Sequence, residues 1–216
     1  MVKKLIVNMK AYREGSGNAL EAIADQCIEA ANGFEHELVI ASQPSDIHRL
    51  ENRYVTGYAE HIDPVEPGSH TGHVLPEAVK EAGAEGTLLN HSERRLEKDE
   101  IEEAVKRAKE AGLETVVCAQ SPEECAEVKE FEPDYIAYEP PELIGGDVSV
   151  SEAEPEMIEA AVEASKPVPA LTGAGIKDTE DVEKSVELGC EGVLVASGVV
   201  KAENPRRETE ELMEGL

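Results

Sequence analysis

Short apolar runs, each closing on a polar residue or a glycine, recur through this chain and alternate with stretches of helical composition. That alternation constrains the fold more than any single motif, because parallel strands need crossover connections and helices usually supply them. The runs predict strands at 5–10, 37–41, 55–59, 86–90, 115–119, 135–139, 168–172 and 192–196. Helices are predicted at 18–31, 44–52, 75–82, 97–111, 121–130, 154–165 and 178–188, with a last one opening at Pro205. Eight strands and eight helices in strict alternation favour an α/β fold made of a single (β/α)8 barrel over an open doubly wound sheet. At 216 residues and 40% hydrophobic content the chain can bury one large core. No linker or low-complexity tract divides residues 1–216, so one barrel domain is expected.

In a barrel of this kind the active site gathers at the C-terminal ends of the strands. Asn8 and Lys10 close the first run two residues apart, which predicts both on one side of the pleat. His91 follows the fourth run and Glu139 ends the sixth. Pro140 and Pro141, then Gly145 and Gly146, follow Glu139, the layout of a carboxylate base at a strand end beneath a lid. Gly173-Ala174-Gly175 and Ser197-Gly198 follow the last two strands, where unobstructed backbone N–H groups commonly hold phosphate. No third glycine or P-loop Lys-Ser/Thr follows, so a dinucleotide or ATP site is unsupported. Singly, each residue has an ordinary reading: a lysine stem lying on apolar surface, a histidine entering a helix, one acid among 47. The barrel brings them to one face.

A net charge of -27 argues against nucleic acid, whose binders need a Lys/Arg surface to release counterions. No apolar run reaches the length of a membrane span, and Met1-Val2-Lys3-Lys4 leads straight into a strand, so a cytoplasmic location is expected. The cysteines at 27, 118, 125 and 190 form no C-x-x-C pair and are expected reduced. His61, His70 and His73 lack the spacing of a zinc set, and no metal is expected. The 63–71 segment is longer than a barrel connection needs, which predicts a homo-oligomer, dimer or tetramer, held partly through it. The acidity suggests salt adaptation, since carboxylates that repel across a Debye length of ~10 Å at 0.1 M salt are screened within ~3 Å near 1 M.

Asn8-Met9-Lys10, Asn90-His91-Ser92-Glu93-Arg94, Ala137-Tyr138-Glu139-Pro140 with Ile144-Gly145, Gly173-Ala174-Gly175 and Val195-Ala196-Ser197-Gly198-Val199 occur in this order along nearly the whole chain. Together they resemble the triosephosphate isomerase family, in its short archaeal branch. The resemblance implies interconversion of dihydroxyacetone phosphate and D-glyceraldehyde 3-phosphate through an enediolate, in glycolysis and gluconeogenesis, with no cofactor. It implies Glu139 as the base, and His91 as a neutral imidazole donor whose pKa is lowered by a helical segment beginning at Ser92. Lys10 is then the fixed positive charge, Asn8 orients substrate oxygens, and Glu93 supports Lys10. Substrate and phosphate would be held at Asn8, Met9, Lys10, Ile144, Gly145, Gly173, Ala196, Ser197 and Gly198, and 63–71 would be the subunit-contact loop. Two departures stand out: Gly145-Gly146-Asp147 where the family usually has Gly-Thr-Gly, and Glu60 where Gln is common. The alternatives are another phosphate-binding barrel isomerase or epimerase, or a non-catalytic barrel.

Overall fold

The computed structural model describes residues 2–140 and 155–216. Its strands are β1 (Lys4–Asn8), β2 (Glu37–Ser42), β3 (Thr56–Ala59), β4 (Gly86–Leu89), β5 (Glu114–Ala119), β6 (Tyr135–Tyr138), β7 (Ala170–Thr172) and β8 (Gly192–Val195). Each pairs in parallel with the next, and β8 returns to β1, with Leu5 opposite both Leu38 and Val193, so the sheet closes into a barrel. The helices are α1 (Asn18–Ala31), α2 (Pro76–Glu81), α3 (Lys98–Glu110), α4 (Pro122–Val128), α5 (Pro155–Ser165), α6 (Thr179–Glu187), α7 (Ser197–Val200) and α8 (Pro205–Glu214). Several open as their sequences dictate. The Ser121 side chain accepts from Glu124 N–H, Asp178 from Asp181 N–H and Asn204 from Arg207 N–H, with proline in the first turn of α4 and α8.

The two-residue period of the strands sorts the core into an inside and an outside. Ile6, Val39, Tyr58, Leu88, Val116, Ala137, Leu171 and Leu194 fill the barrel interior, while Leu5, Val7, Leu38 and Ile40 join the residues packed by the helices. Tyr58 is the largest wholly buried side chain, and Gly86 makes room for it; a Cβ there would come within 2.6 Å of the ring. Below it the barrel is closed by the Lys4 ammonium, 2.6 Å from Glu37 and 3.1 Å from Glu114. At the opposite mouth the same period carries Asn8, Glu60 and Glu139 inward above Ile6, Tyr58 and Ala137.

Four expectations from the sequence are revised. β1 ends at Asn8 rather than Lys10, because Lys10 takes a left-handed φ of 48° and leaves the pleat. The helix expected over 44–52 is only a 3₁₀ turn, Ile47–Arg49. There the Asp46 carboxylate is held by Gly17 N–H and Arg49, and Asn52 at φ 64° ends the turn. β7 begins at Ala170, since Pro167 and Pro169 have no N–H to give a ladder. The turn expected at Ser197-Gly198 is the helix α7, pulled inward by Val199 and Val200, both buried, with Ala196 O accepting from each.

The long connection after β3 is pinned at its base. Asp63 N–H donates to Val74 O at 2.9 Å, Val74 N–H donates back to Asp63 Oδ2 at 2.6 Å, and His61 Nε2 and Arg94 both lie 3.0 Å from Asp63 Oδ1. Residues 66–73, between those anchors, are all exposed.

Candidate active site

A cavity of about 430 Å³ opens at the C-terminal ends of the strands, lined by Asn8, Lys10, His91, Glu93, Glu139, Gly173, Ala196, Ser197 and Gly198 together with Tyr12, Gly175, Ile176, Lys177, Leu194 and Val195. A wider hollow of about 710 Å³ at the other end, beside α1 and the starts of β2 and β3, lacks this meeting of a buried carboxyl, an imidazole and an ammonium group.

Glu139 continues β6 by one residue, its N–H donating to Ala119 O at 2.8 Å, and the residue is only 2% exposed. Oε1 lies 3.5 Å from His91 Nε2, and Oε2 is buried with no hydrogen-bond partner among the described residues. Burial pushes the carboxyl up to about 7, against the smaller opposing pulls of the Cys118 thiol and Lys10. Gly173 sits directly beside it: a Cβ there would lie 2.5 Å from Glu139 Cγ and 2.9 Å from Oε1. Its N–H is engaged by Tyr138 O at 2.9 Å. The glycine therefore accommodates the carboxylate, and its N–H is not available to a phosphate in this arrangement.

His91 stands where the chain turns out of β4 through Asn90, which adopts φ 58°. Asn90 is clamped in that conformation: Nδ2 donates to Cys118 O and Glu124, and Oδ1 accepts from Leu96 N–H. Glu93 N–H donates to His91 Nδ1 at 3.2 Å. A nitrogen that accepts carries no proton, so the neutral ring bears its hydrogen on Nε2, the atom nearest Glu139. The His91 pKa falls to about 4 because the ring is buried and then because Lys10 is close. The expected helix at Ser92 is absent; residues 92–93 form a turn and α3 begins only at Lys98, so a helix N-terminus is not the cause.

Lys10 Nζ lies 2.9 Å from Glu93 Oε1 and is mostly buried, whereas Glu93 is largely exposed. Lys10 N–H donates to Asn8 Oδ1 at 3.0 Å, which leaves the Asn8 amide NH₂ as the group it can offer the cavity. A base, a neutral donor, a cation and an amide thus meet across one cavity. That set can remove a proton beside a carbonyl and hold the resulting oxyanion.

Of the residues singled out from the sequence, Met9 alone is placed elsewhere: it is wholly buried in the apolar cluster with Leu5 and Val7, and its N–H donates to Ala41 O. Ile144 and Gly145, with the altered Gly146-Asp147, lie outside the described residues. Ser197 and Gly198 open α7, and the first N–H groups of any helix lack an acceptor four residues back. Sequence reasoning missed Cys118, Tyr12 and Lys177. Cys118 had a signal: it sits opposite Ala137 on β6, two residues before Glu139, and shares the inward face. Among the described residues no group of three His, Cys, Asp or Glu side chains is arranged to hold a metal ion.

A sequence model of triosephosphate isomerase matches residues 3–214. The chain is 44% identical over 214 residues to the triosephosphate isomerase of Methanocaldococcus jannaschii, covering 97% of this chain and 98% of that one. It is 45% identical to that of Methanoculleus marisnigri and 42% to that of Methanothermus fervidus, each over 97% of this chain and 96% of the relative.

Proposed function

The chain belongs to the triosephosphate isomerase family, in its archaeal branch, and from that premise we propose that Glu139, His91, Lys10 and Asn8 carry out the reaction. It is an aldose–ketose isomerase that interconverts dihydroxyacetone phosphate and D-glyceraldehyde 3-phosphate. Glu139, as carboxylate, takes a proton from the carbon beside the substrate carbonyl and returns it to the neighbouring carbon. The His91 Nε2–H donates to the substrate oxygens as charge moves onto them, and Lys10 and the Asn8 amide stabilise the same oxyanion. Glu93 holds Lys10. Ala196, Ser197 and Gly198 receive the phosphate end, while Gly173 borders it without offering its N–H; Ile144 and Gly145 are assigned to the same end from sequence alone.

The observation that carries this reading is the Glu139 carboxyl, buried with one oxygen unpartnered among the described residues, 3.5 Å from an imidazole whose tautomer presents a proton. Desolvation raises the basicity of a carboxylate, and a carbon acid needs a strong base. Isomerisation run in deuterium oxide tests it. A base-mediated enediolate route places solvent deuterium on the carbon that Glu139 reprotonates, to the extent that the proton it holds exchanges before it is returned; deuterium incorporation in Glu139→Gln at the wild-type rate would dismiss Glu139 as the proton carrier.

Residues 1–216 form one barrel domain in this reading. Among the described residues no helix is long and apolar enough to cross a membrane, and the enzyme is assigned to the cytoplasm on the chemistry of its substrate. The 63–71 segment, anchored at Asp63 and exposed from residue 66 onward, is the surface assigned to a second copy in a dimer or tetramer. The net charge of -27 is what supports reading the surface as salt-adapted and halophilic.

A further inference from the structure

The ladder between β4 and β5 ends at the pair Leu89 and Val117, and beyond it side chains take over. Asn90, in the left-handed region at φ 58°, turns its amide across to β5 and donates from Nδ2 to Cys118 O at 2.9 Å. The same Nδ2 donates to Glu124 Oε1 at 3.1 Å, while Glu124 Oε2 accepts from Gln120 N–H at 2.7 Å. One carboxylate on α4 thus joins the exit of β4 to the exit of β5. Arg95 closes the circuit: one guanidinium nitrogen pairs with Glu124 Oε1 and another donates to Asn90 O at 3.2 Å. Asn90, Arg95 and Glu124 do not line the cavity, yet they surround the residue immediately before His91.

Helix capping does not account for this arrangement. The cap of α4 is Ser121, whose hydroxyl accepts from Glu124 N–H at 3.2 Å. In a capping box the third helical residue reaches back to the N–H of the cap residue itself; Glu124 reaches one residue further, to Gln120, and turns its other oxygen to Asn90 and Arg95. A non-glycine residue stays in left-handed backbone only where its surroundings hold it there. Rotation at Asn90 would swing the turn that carries His91 and Glu93 away from Glu139 and Lys10. Two acceptor oxygens are needed to prevent it. Glutamine has one, and would set an NH₂ against either the Gln120 N–H or the Asn90 amide and Arg95.

We propose that Glu124 is a positioning residue for His91: by accepting from Asn90, Gln120 and Arg95 together, its carboxylate holds the left-handed exit of β4 and with it the place of the imidazole opposite Glu139. This rests on the reading of the cavity as the triose-phosphate site.

The test compares wild type with Glu124→Ala, Glu124→Gln and Ser121→Ala. Turnover is read at about pH 9, well above the value of about 7 held by Glu139, so that an altered charge near Arg95 does not act through the base. In both Glu124 variants kcat should fall about tenfold, part of the roughly hundredfold that follows a 1 Å misplacement. The inhibition constant of inorganic phosphate should change less than about twofold, because Ala196, Ser197 and Gly198 follow β8, on the wall opposite β4. Ser121→Ala removes the cap of the same helix and should lower the melting temperature with kcat within about twofold of wild type. Glycine takes φ 58° with no side chain to clamp, so in an Asn90→Gly background Glu124→Ala should cost less than about threefold. NMR of the His91 ring should show its N–H signal shifted in Glu124→Ala and unmoved in Ser121→Ala. Wild-type kcat in both Glu124 variants, phosphate inhibition lost in step with kcat, or an equal cost of Glu124→Ala in both backgrounds overturns the proposal and leaves the isomerase reading standing. If Glu124→Ala does not fold, Glu124→Gln carries the same comparisons. Absence of turnover in wild type overturns the isomerase reading, and the His91 signal still decides whether Glu124 places the ring.

Discussion

At the scale of single residues, Glu139 is tied to pH twice. As the proposed base it must lose its proton before it can accept one from carbon, and burial pushes its carboxyl up to about 7 from 4.5. Calculated on the substrate dianion, kcat/KM should rise with pH through about 7 and then level off. His91, with a pKa of about 4, adds no limb there. Full activity already at pH 5.5 would mean the carboxyl is not held up. The same shift works against stability. A carboxyl whose folded pKa exceeds its unfolded one favours folding fully below about 4.5, and that advantage is lost as pH rises toward about 7. The loss is on the order of 3 kcal/mol. Glu139→Gln should therefore melt higher than wild type at pH 8 and together with it near pH 4.5; equal melting at both would remove the burial argument. The sequence already marked Glu139 and His91, because a polar residue closing an apolar run has few structural reasons to be there. It could not reveal the His91 tautomer, which depends on one hydrogen bond from Glu93 N–H.

Among the elements, the strand ends matter most. The alternating runs gave the eight strands to within about two residues, since an inward-outward period written in Ile, Val, Leu and Ala leaves little choice of face. What the runs did not reveal is how the chain leaves a strand. Lys10 and Asn90 both do so through left-handed backbone, and the cost is met by local hydrogen bonds to Asn8 and Leu96. Pattern reasoning has no access to such contacts, and it also misread the 44–52 region, where Asp46 is drawn to Gly17 and Arg49. Gly173 links β7 to the chemistry of β6. Gly173→Ala would place a methyl 2.5 Å from Glu139 Cγ and displace the base by about 1 Å. Misplacement of that size costs on the order of a hundredfold in turnover. Circular dichroism should show the fold intact while kcat falls about that far; unchanged kcat would mean Glu139 does not act from this position.

For the molecule as a whole, charge is the dominant unexplained property of the composition. Of 20 lysines and arginines against 47 acids, many are already committed, such as Arg49 and Arg53 to Glu21 and Arg107 to Glu77 and Glu110, so the remaining acids far outnumber the cations left to pair with them. Exposed pairs add little singly, and repulsion among the unpaired acids is relieved only by salt. Melting temperature and oligomeric mass should both rise from 0.1 to 3 M KCl, while KM rises as screening weakens phosphate attraction. Flat or falling values would show that the acidity serves solubility alone. If the 63–71 segment holds subunits together, light scattering in molar salt should give a dimer or larger; an active monomer at micromolar concentration would assign that loop another role. The composition showed this acidity at once, but only the folded chain reveals which acid is buried in the cavity, Glu139.

The central claim is that a buried carboxylate on β6 moves the proton, and a paired measurement on Glu139→Gln tests it most directly. Turnover of glyceraldehyde 3-phosphate to dihydroxyacetone phosphate is followed in a coupled assay, and inorganic phosphate binding is followed by calorimetry, for wild type and variant. General-base catalysis of this kind contributes about 10²–10⁴-fold, so kcat should fall by about a thousandfold while phosphate binding changes less than about twofold. Wild-type turnover in the variant, or loss of phosphate binding in step with loss of turnover, would contradict the account.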